Sequence, residues 1–216
     1  MRFDLTTTSP RETYNLLIGL VVPRPIALVT SMDPAGHVNA APFSAFNYLG
    51  TDPPILAIGV GNRPGPGVIG KDTAQNIRNR GEFVVNVVNE PLAAAMNVCA
   101  VDFPPGINEL EAARLTTAPS TTVSVPRIAE SPAALECVEH ATVEIGRSRV
   151  ILGRVLHIYV RDELIDPAGP YIRAEQLHAV GRMNGLGNYV RARDFFQLTR
   201  LSYEDWEKRS GAENPF

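Results

Sequence analysis

Apolar and polar positions along the chain alternate between two rhythms, and each rhythm predicts its own kind of element. Tyr14, Leu16, Leu17 and Ile18 recur at helical spacing behind Ser9-Pro10-Arg11-Glu12, a capping box with proline at the first helical position, and Gly19 supplies a stop. From Pro23 to Leu49 the rhythm becomes that of strands. Pro23 to Ser31 and Val38 to Leu49 are β-rich runs joined by the turn Asp33-Pro34-Ala35-Gly36, which reads as an antiparallel hairpin. Pro54 to Val60 is a compact apolar strand that gives way to a glycine- and proline-rich stretch, 61–70. Asp72 or Thr73 caps a helix to Arg80, Gly81 closes it, and Glu82 to Val88 is the clearest strand of the chain. A helix is expected over Leu92 to Val101, a helical turn over Glu109 to Arg114, and extended chain around Pro126 and Pro132. Leu135 to Ile145 and Val150 to Val160 form a second hairpin about Gly146-Arg147-Ser148. Ala174 to Leu177 reads as a short helix and Gly181 to Tyr189 as a loop placed to lie over a site. Phe195 to Leu198 reads as a last strand and Tyr203 to Phe216 as a polar tail. Six or seven mostly antiparallel strands with short helices between them imply a mainly β chain, closed or half-closed as a barrel rather than doubly wound.

The chain has 216 residues, 44% of them hydrophobic, and a formal net charge of -3. That suffices for one domain with a real core, and it offers no basic excess to neutralise a phosphate backbone, so no nucleic-acid partner is expected. Apolar runs are short and interrupted, as where Leu20-Val21-Val22 meets Pro23-Arg24, so no membrane association is expected. Met1-Arg2-Phe3-Asp4 begins no signal-peptide core. Cys99 and Cys137 form neither a disulfide framework nor a metal-ligand spacing. They read as small buried hydrophobes in a cytoplasmic protein.

The run from Val38 to Leu49 is unusual for a packed strand. Pro42 cannot donate to a ladder, Ala40, Ala41 and Ala45 are small, and Asn39, Ser44 and Asn47 carry polar groups. Two readings stay open: an edge strand protected by proline, or a platform that a planar ring approaches closely. The corner from Lys71 to Asn76 is equally double. A helix N-terminus beside a lysine and the Thr73 hydroxyl is an anion site, and it is also an ordinary capped helix. Hydrolytic motifs are missing, and the four histidines, His37, His140, His157 and His178, pair with no cysteine at a known spacing. Gly59-Val60-Gly61 runs into Asn62-Arg63-Pro64 instead of a helix, so no dinucleotide fingerprint is present, and a nicotinamide cofactor would be a passing substrate.

Several motifs in fixed order then carry a resemblance. Pro23-Arg24-Pro25-Ile26-Ala27-Leu28-Val29-Thr30, Asn39-Ala40-Ala41-Pro42-Phe43-Ser44-Ala45-Phe46-Asn47, Asp52-Pro53-Pro54, Lys71-Asp72-Thr73 with Asn76-Ile77, and Gly81-Glu82-Phe83-Val84-Val85-Asn86 resemble the flavin reductase-like, FMN-binding split-barrel family. The likeness continues through Pro126-Arg127-Ile128, Glu136-Cys137 and Leu152-Gly153. It implies a six-stranded antiparallel split barrel with short peripheral helices over residues 1–202, a polar tail over 203–216, and a homodimer with FMN near the subunit interface. Carried over residue by residue, it implies that Asn39, Ala40, Ala41, Pro42, Phe43, Ser44, Phe46 and Asn47 flank the ring and ribityl chain. Lys71, Thr73 and Asn76 would lie near the phosphate, with Arg24 as a further candidate. The implied activity is NAD(P)H-dependent reduction of FMN by hydride transfer to flavin N5, which needs no catalytic side chain and no metal. FMN is then either held or released to a monooxygenase or other electron acceptor. The alternative is a flavoredoxin-like electron carrier that a partner reduces and that binds no nicotinamide. The stretch 61–70 is longer and richer in glycine and proline than the family pattern implies.

Overall fold

The computed structural model describes residues 1–62, 72–104 and 107–210. Helix α1 (Pro10–Leu20) begins with the expected box: Ser9 Oγ accepts from the Glu12 N–H at 3.3 Å, and the Glu12 carboxylate accepts from the Ser9 N–H at 3.2 Å. Seven strands follow in one antiparallel sheet: β1 (Ala27–Met32), β2 (Val38–Phe43), β3 (Phe46–Thr51), β4 (Pro54–Gly61), β5 (Glu82–Val87), β8 (Ala133–Ile145) and β9 (Ser148–Val160). The remaining elements are α2 (Asp72–Arg80), α3 (Ala93–Val98), α4 (Glu109–Ala112), the two-residue strands β6 (Thr117–Ala118) and β7 (Arg127–Ile128), a 3-10 turn at Asp162–Leu164, α5 (Ala174–Leu177), the hairpin β10 (Val180–Arg182) and β11 (Tyr189–Arg191), and α6 (Tyr203–Ser210).

Strand order across the sheet is β2-β1-β5-β8-β9-β4-β3. Its two edge strands, β2 and β3, are consecutive in the chain and separated only by Ser44 and Ala45. A sheet whose first and last strands are that close must roll up, and the edges that meet there leave the seam of a split barrel. The corner is tight. The Gly59 N–H donates to Ala45 C=O at 2.6 Å, and a Cβ on Gly59 would stand 2.8 Å from Ala45 Cβ. This corner also explains the strand count: Val38 to Leu49, expected as one strand of six, is bent at Ser44 and Ala45 into two of seven.

Strand β1 is buried on both faces. Ala27 and Val29 join Phe43, Leu56, Ile58, Phe83, Val85, Cys137 and Ile151 inside the barrel, where Ala74 and Ile77 of α2 close one end. Leu28 turns outward with Ile26, Ala40, Val88, Leu92, Met96, Leu110 and Ile128 in a second core under α3 and α4. Helix α2 is fastened along the first hairpin. Arg80 donates to Asp33 C=O at 2.7 Å and Met32 C=O at 3.3 Å, and buried Asn76 donates to Ser31 Oγ at 3.2 Å.

Three expectations are corrected. Phe195 to Leu198 form no strand and are all exposed, because no neighbouring edge receives them. The loop expected over Gly181 to Tyr189 begins and ends in the β10–β11 hairpin. Helix α3 is shorter than the expected span, and the segment from Tyr203 carries α6. Among the described residues no helix is long and apolar enough to cross a membrane, and no cluster of metal-ligating side chains exists.

Candidate functional site

An open cleft of about 430 Å³ lies between the free edge of β2, the start of α2 and the segment from α3 to α4. Asn39, Ala41 and Pro42 supply one wall, Asp72 and Thr73 the helix end, and Cys99 to Phe103 with Glu109 the opposite side. The volume falls within the range of small-molecule sites. A second, larger groove of about 890 Å³ adjoins it and shares Asn39, Asp72 and Glu109 with it.

The edge of β2 dictates what the wall offers. Outward-pointing N–H groups recur at every second residue of an edge strand. The Ala40 N–H points away from β1 toward the Glu109 carboxylate, at 3.5 Å, and at the next outward position Pro42 has no N–H at all. The free edge beside the cleft is therefore flat, small and nearly without free donors. At its end, Asn39 is satisfied with Nδ2 donating to Glu109 Oε1 at 3.2 Å and Oδ1 accepting from the Ala40 N–H at 3.2 Å and from Thr73 Oγ1 at 3.1 Å. The opposite orientation would set an amide oxygen against a carboxylate.

Helix α2 opens toward this cleft, so its first-turn N–H groups and the positive end of its dipole face the same space as Thr73. Carboxylates balance that field, since Asp72, Asp102 and Glu109 all line the cleft. Cys99 is buried against them. Burial first, and then the charge of Glu109, push its thiol up to about 11, so it stays protonated near neutrality and offers no thiolate.

Of the residues implied by resemblance, the structure brings Asn39, Ala41, Pro42 and Thr73 together in the cleft and sets Asn76 beside it in the adjoining groove. Others are placed elsewhere. Ala40 and Phe43 are buried in the two cores, and Phe46 packs half-buried against the barrel interior. Asn47 is exposed and accepts from the Tyr48 N–H at 2.9 Å. Ser44 Oγ accepts from Arg24 Nε at 3.4 Å, and Arg24 Nη1 donates to Ile18 C=O at 2.7 Å and Val21 C=O at 2.8 Å. Arg24 is thus a clamp on the end of α1. Lys71 lies outside the described residues. Glu109 and the segment from Cys99 to Phe103 escaped the sequence reading, because a one-turn helix and an irregular connection carry no periodic signal.

The family model "Flavin reductase like domain" matches residues 19–180 of the chain. A protein of Deinococcus radiodurans is 43% identical over 96% of this chain and 92% of its own length. Among solved structures, the 2-nitrobenzoate 2-nitroreductase NbaA of Pseudomonas fluorescens aligns with a TM-score of 0.85 and 39% identity over 94% of this chain and 98% of its own. Component B of nitrilotriacetate monooxygenase from Bacillus cereus aligns with a TM-score of 0.86 and 32% identity over 92% and 98%. A split-barrel protein from Shewanella frigidimarina, at 21% identity with a TM-score of 0.77 over 94% and 99%, shows the shared fold.

Proposed function

We propose, from the fact that this chain belongs to the flavin reductase-like family, that it is an NAD(P)H-dependent flavin reductase which takes FMN in the cleft between β2 and α2. The observation that carries the reading is the free edge of β2, where Ala41 and Pro42 form a flat wall beside the opening of α2. The residues fit such a group. Small side chains without free donors admit a ring face, apolar Ala100, Val101 and Phe103 stand across from them, and polar groups gather at the helix end.

When bound, FMN would supply the hydride-accepting ring between NAD(P)H and an acceptor. The chain's own part is to position. Ala41 and Pro42 would bear the ring, Asn39 and Thr73 would orient the polar chain, and the first-turn N–H groups of α2 with Lys71 would hold the phosphate. No side chain of the cleft needs to move a proton at the reacting atoms.

A homodimer is part of the same proposal. Val143, Ile145, Leu156 and Ile158 expose apolar side chains on the long β8–β9 hairpin, and Tyr48 and Leu49 do so on β3. A monooxygenase as receiver of reduced flavin is suggested by the Bacillus cereus relative, whereas the Pseudomonas fluorescens relative suggests a nitroaromatic acceptor. NADH and NADPH oxidation with added FMN tests the reductase reading; no turnover with either would remove it. A flavoredoxin-like carrier would bind FMN and show none.

A further inference from the structure

We infer that Glu109 sets the hydrogen-bond polarity of the cleft wall and makes Thr73 an acceptor, so that Thr73 recognises a hydroxyl or N–H of the ligand and not its phosphate. The inference rests on the flavin reading above and names which part of the molecule one wall residue reads.

The argument is a count of hydrogens. An ionised carboxylate only accepts, so Glu109 beside Asn39 selects the orientation in which Nδ2 faces Oε1 at 3.2 Å. Asn39 Oδ1 is thereby aimed at Thr73 Oγ1, 3.1 Å away. Neither of two oxygens can bond the other without a hydrogen between them, and an amide oxygen has none. The one hydrogen of Thr73 must lie on that bond. Thr73 is 1% exposed in the chain, so no water competes for it. Only lone pairs of its hydroxyl remain for the cleft. A phosphate, itself an acceptor near neutrality, gains nothing from them, whereas a ribityl hydroxyl or a ring N–H does. The relay crosses three elements, from α4 through β2 to the first turn of α2, and it corrects the expectation that Thr73 belongs to the phosphate corner.

The test compares FMN with riboflavin, which is the same molecule without the phosphate. Thr73→Val should weaken both by about fivefold to tenfold and leave their ratio within about twofold. Thr73→Ser, which keeps the hydroxyl, should bind both like the parent protein. Asn39→Ala releases the Thr73 hydrogen without changing any charge, and should shift the preference toward FMN over riboflavin by about tenfold. That shift should vanish in the double variant Asn39→Ala/Thr73→Val. Circular dichroism and thermal unfolding report whether each variant is folded, and Asn39→Ala carries the test by itself if Thr73→Val is not. Selective loss of FMN in Thr73→Val, or an unchanged preference in Asn39→Ala, overturns the inference. If the parent protein binds neither flavin, the flavin reading fails with it, an outcome distinct from binding with the wrong selectivity.

Discussion

The ring of Phe83 packs onto the backbone of Gly153, where a Cβ would stand 2.3 Å from Cζ and 3.0 Å from Cε1. Phe83 is fully buried inside the barrel and cannot retreat cheaply. Gly153→Ala should therefore destabilise the fold by about 1 to 3 kcal/mol. In urea unfolding the double variant Gly153→Ala/Phe83→Leu should be more stable than the sum of the single losses, since the smaller side chain makes room for the methyl.

Glu136 is buried, yet it accepts from the Thr121 and Thr122 N–H groups at 2.7 and 2.6 Å and from the Thr122 hydroxyl at 2.6 Å. Burial pushes its carboxyl up, but the Thr122 hydroxyl, the two N–H groups and His157 together hold it below the ordinary value. A depressed carboxyl contributes stability above its unfolded value, and loses it as pH falls through the folded one. Glu136→Gln should cost about 1 to 3 kcal/mol at neutral pH. The gap between the two proteins should narrow once the medium is more acidic than the usual glutamate range of about 4.3. Denaturant unfolding at several pH values measures it; a gap independent of pH would contradict the account.

Arg24 holds the end of α1 rather than an anion. Arg24→Ala should lower thermal stability by about 1 to 2 kcal/mol, through loss of two donors to the Ile18 and Val21 carbonyls. It should leave the ratio of FMN to riboflavin affinity unchanged. A selective loss of FMN would return Arg24 to the phosphate.

Lys71 directly precedes α2 in sequence. A charge-assisted contact to a dianionic phosphate is worth roughly 1.5 to 3 kcal/mol, which corresponds to about tenfold to a hundredfold in affinity. Lys71→Ala should raise the dissociation constant of FMN by that factor and hardly change that of riboflavin. Equal weakening of both would place the phosphate elsewhere.

Much of the framework is legible in local pattern. Ser9 and Glu12, the turn at Gly36 with its φ of 93°, and the alternation through Glu82 to Val87 announce helix, hairpin and strand without tertiary information. Asn39 and Thr73 are legible one at a time, as a polar residue on a β run and as a helix start. Their contact is not, because 34 residues separate them and only the rolled sheet brings them together. Glu109 is harder still. Its helix has four residues, and its role depends on which way an amide two elements away is turned. Arg24 was misread for the opposite reason: a motif arginine suggests an anion, and the backbone carbonyls that engage it have no signature in sequence.

The central claim is that electrons pass from a nicotinamide to a flavin held in this cleft. Its most direct test is anaerobic mixing of the FMN-loaded protein with NADH and with NADPH while the visible flavin absorbance is followed. The account predicts bleaching by at least one of them within seconds. Flavin that stays coloured with both, yet bleaches on adding dithionite, would contradict the reductase reading and leave an electron carrier that depends on a partner.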